Sequence, residues 1–269
     1  MPNLCNLLIT KVKNRLNILY VIYLIINKLV RILFAILATA IFSIFLIVYA
    51  LRTTPVSVTP LMVINQKKSK VAPEKRWTPI DSISPEVACA VIAAEDNNFF
   101  YHKGFDIDAI MWAMKRNSEQ SKKIYGASTI SQQTAKNVFL PPNRTWLRKV
   151  VEAGFTTLIE AMWGKARIME VYLNVIETGS NMYGVEAAAQ RYFRKPAMKL
   201  SKSESTLIAV ALPNPHKFNP AKPSPYMRQR KEHIYKVMGK MLETGWYKNI
   251  KDIKKIKVNY LEEWPVEDK

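Results

Sequence analysis

In the stretch AAEDNNFFYHKG (residues 93–104), two acids, Glu95 and Asp96, end an apolar run. Val91 to Ala94 come before them, and Phe99, Phe100 and Tyr101 follow closely. A carboxylate held among apolar and aromatic groups has a perturbed proton affinity, which is what a general acid or base requires. Two solvated acids at a helix end would read the same way, since perturbed acids mark sites only statistically. Another acid, Glu152, follows Lys149 by three positions and Arg148 by four, the spacing of one helix face. Solvated surface pairs share that spacing. Lys136, Arg144, Arg148 and Lys149 are close enough in sequence to form a cradle for a diphosphate. No Walker-type glycine loop accompanies them, and the acid pairs Glu95-Asp96 and Asp106-x-Asp108 lack the rest of a metal cage.

The segment YGASTISQQTAKN (residues 125–137) sets Ser128, Thr129, Ser131, Gln132, Gln133 and Thr134 at a helix start. Amide and hydroxyl side chains suit the matched donors and acceptors of a sugar or its N-acetyl group. A capped, solvated helix uses the same residues.

These residues need elements to hold them. SPEVACAVIAAED carries Ser84 as N-cap, Pro85 at the first helical position and Glu86 in the first turn, and predicts a helix that delivers Glu95 at its end. Helices are also expected over Asp108–Asn117, over STISQQTAKNVFL and over TWLRKVVEAGFTTLIEAMW. On the last of these, Leu147, Val151, Phe155, Leu158 and Met162 form one apolar stripe that Arg148, Lys149 and Glu152 avoid. KARIMEVYLNVI, GVEAAAQRYF, LSKSESTLIAVALPNP with its capping box Ser201 to Glu204, and a segment from about Met227 to Thr244 complete the helical set. Strand-like alternation is scarce and no repeat occurs, so the fold class is mainly α.

The chain has 269 residues, 49% of them hydrophobic, enough for one sizeable domain with appendages. Its 40 Lys and Arg against 21 Asp and Glu give a net charge of +19, which suits an anionic partner: a membrane surface, a phosphorylated substrate or nucleic acid. The membrane segment and the lack of a nucleic-acid-binding module count against nucleic acid. Ile32 to Leu51 is a run of 20 uncharged residues flanked by Arg31 and Arg52, long enough for a transmembrane helix. A cleaved signal peptide would have a shorter apolar run ending in small residues, so a retained anchor is expected. The earlier stretch LNILYVIYLIIN is too short to span and suits the interface. Cys5 and Cys89 fall on either side of the anchor, so no disulfide is expected, and the three scattered histidines do not suit a zinc site. The expected organisation is a basic segment over 1–31, the anchor over 32–51, an extended linker over 52–76 with a short strand or turn at Leu61–Asn65, the main domain over 77–246 and a tail over 247–269.

AAEDNNFFYHKGFD, GASTISQQTAKN, RKVVE, KARIMEVYLN and GVEAAAQRYF occur in the order and spacing of the peptidoglycan glycosyltransferases of family 51, which this chain resembles from about Trp77 to Pro220. One anchor, and no Ser-x-x-Lys of a transpeptidase, resembles the family's monofunctional members. Ala127 stands where the family usually has a second Gly, and Met169 where it usually has Leu. The resemblance implies a lysozyme-like glycosyltransferase domain with an N-terminal transmembrane helix, set in the bacterial inner membrane with the domain on the periplasmic side. It implies polymerisation of lipid II, with inversion and release of undecaprenyl diphosphate. It implies Glu95 as general base and Glu152 as the second glutamate of the cleft. Ser128, Gln132, Gln133, Lys136, Arg144, Arg148 and Lys149 become substrate-binding candidates. No protein-held metal is expected, although a divalent cation (Mg or Mn) assisting the diphosphate is compatible with the family. Expected partners are lipid II, the growing glycan chain and the membrane, with cell-division or elongation proteins as further candidates. Asp96, His102 and Gly104 are expected to shape the loop after Glu95, and Tyr172 and Asn174 to pack beneath the cleft. Two alternatives stay open: a lytic enzyme of related fold that cleaves the same polymer, and a non-catalytic anchor protein of the division machinery.

Overall fold

A computed structural model describes residues 2–119, 125–143 and 145–243. The chain divides into two units, Met1–Ala50 and Leu51–Lys269. The first is one helix, α1 (Pro2–Ala50). Its apolar part, Ile22–Ala50, covers 29 residues at a mean hydropathy of 2.7 and is long and apolar enough to cross a membrane. At 1.5 Å per residue it measures about 44 Å, more than the ~30 Å hydrocarbon core. The helix runs straight through the short apolar stretch before Ile32, so that stretch is the first part of one long rod. Lys28 and Arg31 fall inside it, on stems long enough to carry their charges toward a headgroup layer.

In the second unit the helices are α2 (Pro60–Ser69), α3 (Pro85–Glu95), α4 (Ile107–Ser118), α5 (Ile130–Phe139) and α6 (Trp146–Met162). They continue as α7 (Gly164–Val175), the short α8 (Val185–Ala188), which runs on as a π turn over Ala189–Phe193, α9 (Lys202–Ala211) and α10 (Pro225–Glu243). Three small strands, β1 (Glu74–Lys75), β2 (Glu177–Gly179) and β3 (Met182–Tyr183), pair in the order β1-β3-β2. β1 is parallel to β3, and β2 antiparallel to it.

α3 has no polar face, and every residue from Val87 to Ala93 is buried. Its alanines let α9, itself buried from Ser205 to Ala211, pack close along it, and α10 closes the other side through Met227, Ile234 and Met238. A second layer joins α5, α6 and α7, with Phe139 stacked on Phe155 at 4.4 Å between α5 and α6. The catalytic candidates stand at the end of α3 and along α5 and α6, so these two layers fix their separation.

The structure corrects two sequence expectations. Residues 52–76 are not an extended linker. Thr59 caps α2 through its side chain, Pro60 sits at the first helical position, Met62 is buried, and Glu74–Lys75 join the sheet. Leu61–Asn65 is therefore helix rather than strand or turn, the Thr-Pro start signal having outweighed the mixed composition that follows it. On α6 the buried face is Glu152, Thr156 and Ile159, while Leu147 and Val151 are 74% and 39% exposed. The apolar stripe marks the inward side only in the second half of the helix, where Phe155, Leu158 and Met162 are half-buried and Phe155 stacks on Phe139. Nearer the N-terminus Glu152 goes in with its own counter-charges, and an acid so paired can be buried. Ser84 stands at the N-cap of α3 but makes no side-chain capping bond.

Candidate active site

Glu95 is the last residue of α3. One of its oxygens accepts a hydrogen bond from Gln133 Nε2 of α5 at 2.9 Å. The residue as a whole is half-buried, but its carboxyl end is enclosed, and loss of water there drives its pKa up. The Gln133 bond, Arg230 and Lys136 pull it down, and the Asp96 charge pushes it further up. The balance is a raised pKa, the state of a carboxylate poised to accept a proton.

Asp96 turns the other way and holds the scaffold. It is buried, accepts from His102 Nε2 at 3.0 Å and from the Ile130 backbone N–H, at the start of α5, at 2.9 Å. His102 Nδ1 accepts from the Gly104 N–H at 3.1 Å, so the ring proton sits on Nε2 and is donated to Asp96. Gly104 has φ +94°, and a Cβ there would lie 2.7 Å from Thr156 Cγ2 of α6. Only glycine lets the loop approach α6 so closely in that conformation. The Gly104 carbonyl accepts from Thr129 Oγ1 at 2.7 Å. The loop after Glu95 is thus stitched to the start of α5, as expected for Asp96, His102 and Gly104.

Along α5, Gln133 and Lys136 are one turn apart and half-buried. The Lys136 ammonium makes no hydrogen bond or ion pair among the described residues, and burial lowers its pKa, with the Glu152 charge raising it, Arg148 and Lys149 lowering it and Glu95 raising it. An enclosed ammonium without a bonded carboxylate is suited to an anionic ligand. Gln132 departs from expectation. It is buried, and its side-chain oxygen accepts the Thr129 N–H at 3.0 Å while the Gln132 N–H is donated to Thr129 Oγ1 at 3.1 Å. It closes the capping box of α5. Ser128 is exposed just before that cap.

On α6, Glu152 is 3% exposed, with Arg148 Nη1 on one oxygen and Lys149 Nζ on the other, each at 2.5 Å. Both oxygens are engaged by cations, so this acid is a holder of charge rather than an open base. Lys149 keeps 42% of its side chain exposed, and Arg148 Nε is a buried donor with no partner among the described residues. The two bases therefore retain donors for a further anion. Arg144 lies outside the described residues.

Beneath these groups Tyr172 of α7 is fully buried, and its hydroxyl donates to Gln133 Oε1 at 3.3 Å. Asn174 bonds the Thr78 N–H and carbonyl at 2.7 and 2.8 Å. Tyr172 thus supports Gln133 from within the core, and Asn174 ties α7 to the segment before α3. Sequence reasoning missed Arg230 of α10, whose charge acts on Glu95. It lies in a helix rich in Lys and Arg, so nothing in the local pattern singles it out.

No three metal-ligating side chains converge among the described residues. Asp96 is committed to His102 and Ile130, and Glu152 to two cations, so the donor set does not fit a protein-held divalent cation.

The Transglycosylase family model matches residues 62–239. Three similar curated proteins are each named biosynthetic peptidoglycan transglycosylase. That of Bdellovibrio bacteriovorus is 53% identical over 188 residues, which is 68% of this chain and 75% of the relative. The Caulobacter vibrioides protein is 50% identical, covering 72% of this chain and 84% of its own length. The Rhodospirillum centenum protein is 44% identical over 220 residues, 82% of this chain and 95% of the relative. With a raised-pKa glutamate facing an uncommitted lysine in an α-helical frame, and these matches across most of its length, the chain belongs to the transglycosylase family.

Proposed function

We propose that this protein is a membrane-anchored peptidoglycan glycosyltransferase that polymerises lipid II into glycan strands. The observation that carries the reading is the pairing of Glu95, enclosed and raised in pKa, with Lys136, an ammonium without a bonded partner among the described residues. Glu95 takes the proton from the acceptor's 4-hydroxyl. The freed oxygen attacks the anomeric carbon of the growing chain from the face opposite the leaving group. A C–O bond forms, the bond from the anomeric carbon to the phosphate oxygen breaks, and undecaprenyl diphosphate departs with the electron pair. Lys136, with the remaining donors of Arg148 and Lys149, offsets the charge that grows on that diphosphate. Stabilisation of this kind is usually the largest single catalytic contribution. Glu152 holds Arg148 and Lys149 in place for it.

The α1 span supports membrane anchoring, and a lipid-linked donor is reached from a bilayer. We assign the anchor to the inner membrane and the second unit to its outer side, where such a donor is consumed. Ser128 and Gln133 belong to the sugar-facing edge on this reading, and cell-division or elongation proteins are the partners it calls for. A lytic enzyme needs a buried acid but no diphosphate cradle, so the uncommitted cations favour synthesis. Incubating the detergent-solubilised full-length protein with lipid II tests the reading directly: glycan polymer forms, and its absence overturns it.

A further inference from the structure

We infer that Tyr172 is a positioning residue for the base, its hydroxyl fixing which end of the Gln133 amide faces Glu95. This role rests on Glu95 being the base, as proposed above. Three observations place the groups in series. Tyr172 on α7 donates to Gln133 Oε1 at 3.3 Å, Gln133 on α5 donates from Nε2 to Glu95 Oε2 at 2.9 Å, and Glu95 ends α3. Three helices thus meet through one amide.

An amide side chain has a donor end and an acceptor end of nearly equal size, and its orientation follows from its neighbours. While Glu95 is ionised, the carboxylate alone selects the donor end. Once Glu95 holds a proton, nothing on its own side prevents the amide from turning to accept that proton. A turned amide would favour the protonated acid and weaken the base. Tyr172 opposes the turn. It is fully buried, and its pKa is raised well above the ordinary phenol value, first by burial and then by the Glu95 and Asp96 charges, so it keeps its proton at every working pH. Among the described residues its hydrogen bond goes to Gln133 Oε1. Turning the amide would bring its NH2 group to the Tyr172 oxygen and leave the buried hydroxyl proton without the acceptor it has in Gln133 Oε1, which is penalised.

The test is the pH dependence of lipid II polymerisation by full-length Tyr172→Phe. The acid limb of turnover should move to higher pH by about one pH unit, the scale of one charge-assisted hydrogen bond, with the rate above the limb largely retained. A drop of equal size at every pH, or an unmoved limb, overturns the proposal. Gln133→Leu removes the donor itself and should displace the limb at least as far. If it folds and leaves the limb in place, the proposal falls whatever Tyr172→Phe does. The double variant should be displaced no further than Gln133→Leu, because Tyr172 acts only through Gln133; additive displacements overturn that route. Glu95→Gln is run alongside. If it still polymerises, the assignment of the base has failed; if it is inactive while Tyr172→Phe leaves the limb unmoved, only the positioning role has failed.

Discussion

Asp96, the residue after Glu95, is locked to His102: His102 Nε2 lies 3.0 and 3.1 Å from the two Asp96 oxygens, and both residues are buried. Asp96 also receives the Ile130 N–H at the start of α5, where the helix dipole favours a negative charge. Neighbouring acids therefore do opposite work. The second anchors the loop so that the first is held at a fixed distance from α5. Asp96→Ala should lower stability by about 2–3 kcal/mol through its unpaired donors. In a domain of this size that is a fall in Tm of roughly 5–10 °C. Thermal melts alongside polymerisation assays check this, and activity should fall together with Tm. A variant as stable as the parent would show the loop to be held by other contacts.

Lys165 and Glu160 form a second buried pair, at 2.6 Å, with Ser131 Oγ also donating to Glu160 and the Lys165 ammonium 4.7 Å from the Phe99 ring centroid. This links α5, α6 and α7 directly below the loop. Lys165→Met leaves Glu160 buried without its counter-charge and should be destabilising by about 3–5 kcal/mol. Adding Glu160→Gln should recover part of that loss, which denaturant titration of the single and double variants will show. Equal stability of both variants would mean that Glu160 finds water or another cation.

The helical frame was legible because its signals are local. The Ser201–Glu204 capping box forms as read, and Pro85 opens α3 at its first turn. What could not be read was which face of a helix turns inward when charges supply their own partners. In its first half α6 buries Glu152 and exposes Leu147 and Val151 of its apolar stripe, because Arg148 and Lys149 neutralise the acid as it goes in. Gln132 and Gln133 look alike in sequence, yet one closes a cap and the other reaches Glu95. Their roles separate only when α3 comes up against α5. Helix α2 was hidden by the Lys-rich composition of its last turn, although Thr59 and Pro60 marked its start.

The entry to the second unit gives a prediction about truncation. Arg167 donates to the carbonyls of Leu51 and Thr54, pairs with Glu170 and lies 5.1 Å from the Trp77 ring. A chain beginning at Leu51 should keep the fold and be released from the membrane-embedded state. A chain beginning at residue 72 loses buried Met62 with α2 and should be markedly less stable. Trp112, Met114, Trp146 and Leu147 are between 51% and 88% exposed on α4 and α6. Large apolar side chains so displayed favour a bilayer interface. The Leu51 truncation should therefore still co-sediment with vesicles, and Trp112→Ser with Trp146→Ser should weaken that binding several-fold. Vesicle binding unchanged by both substitutions would remove these residues from the contact.

Lys136→Ala should depress turnover strongly with no loss of Tm. The ammonium is enclosed, its pKa is lowered chiefly by burial, and it has no hydrogen bond or ion pair among the described residues, so the folded state gains little from it. On the proposed function it meets an anion that arrives with the substrate. Activity and melting curves measured on the same preparation decide the matter. A large fall in Tm with normal turnover in the folded fraction would make Lys136 a structural residue.

On the proposed function, Glu95 carries catalysis and Glu152 positioning. Glu95→Gln cannot take a proton, and loss of a general base typically lowers the rate by ~10²–10⁴-fold. Its effect on stability should have the opposite sign. Because burial raises the Glu95 pKa above the ordinary 4.5, the folded protein binds this proton more tightly than the unfolded chain does. Stability therefore declines as pH rises from 4.5 through the raised folded value, and above that value the penalty is fully present. Glu95→Gln removes the penalty, so its Tm at neutral pH should equal or exceed the parent's, and the difference should vanish in acid. Glu152→Gln retains a base at position 95 but frees Arg148 and Lys149, and it should keep measurable turnover with weaker donor binding. Rates, donor titrations and melts across pH distinguish the two. Near-normal turnover of Glu95→Gln together with an inactive Glu152→Gln would reverse the assignment and make the α6 glutamate the base.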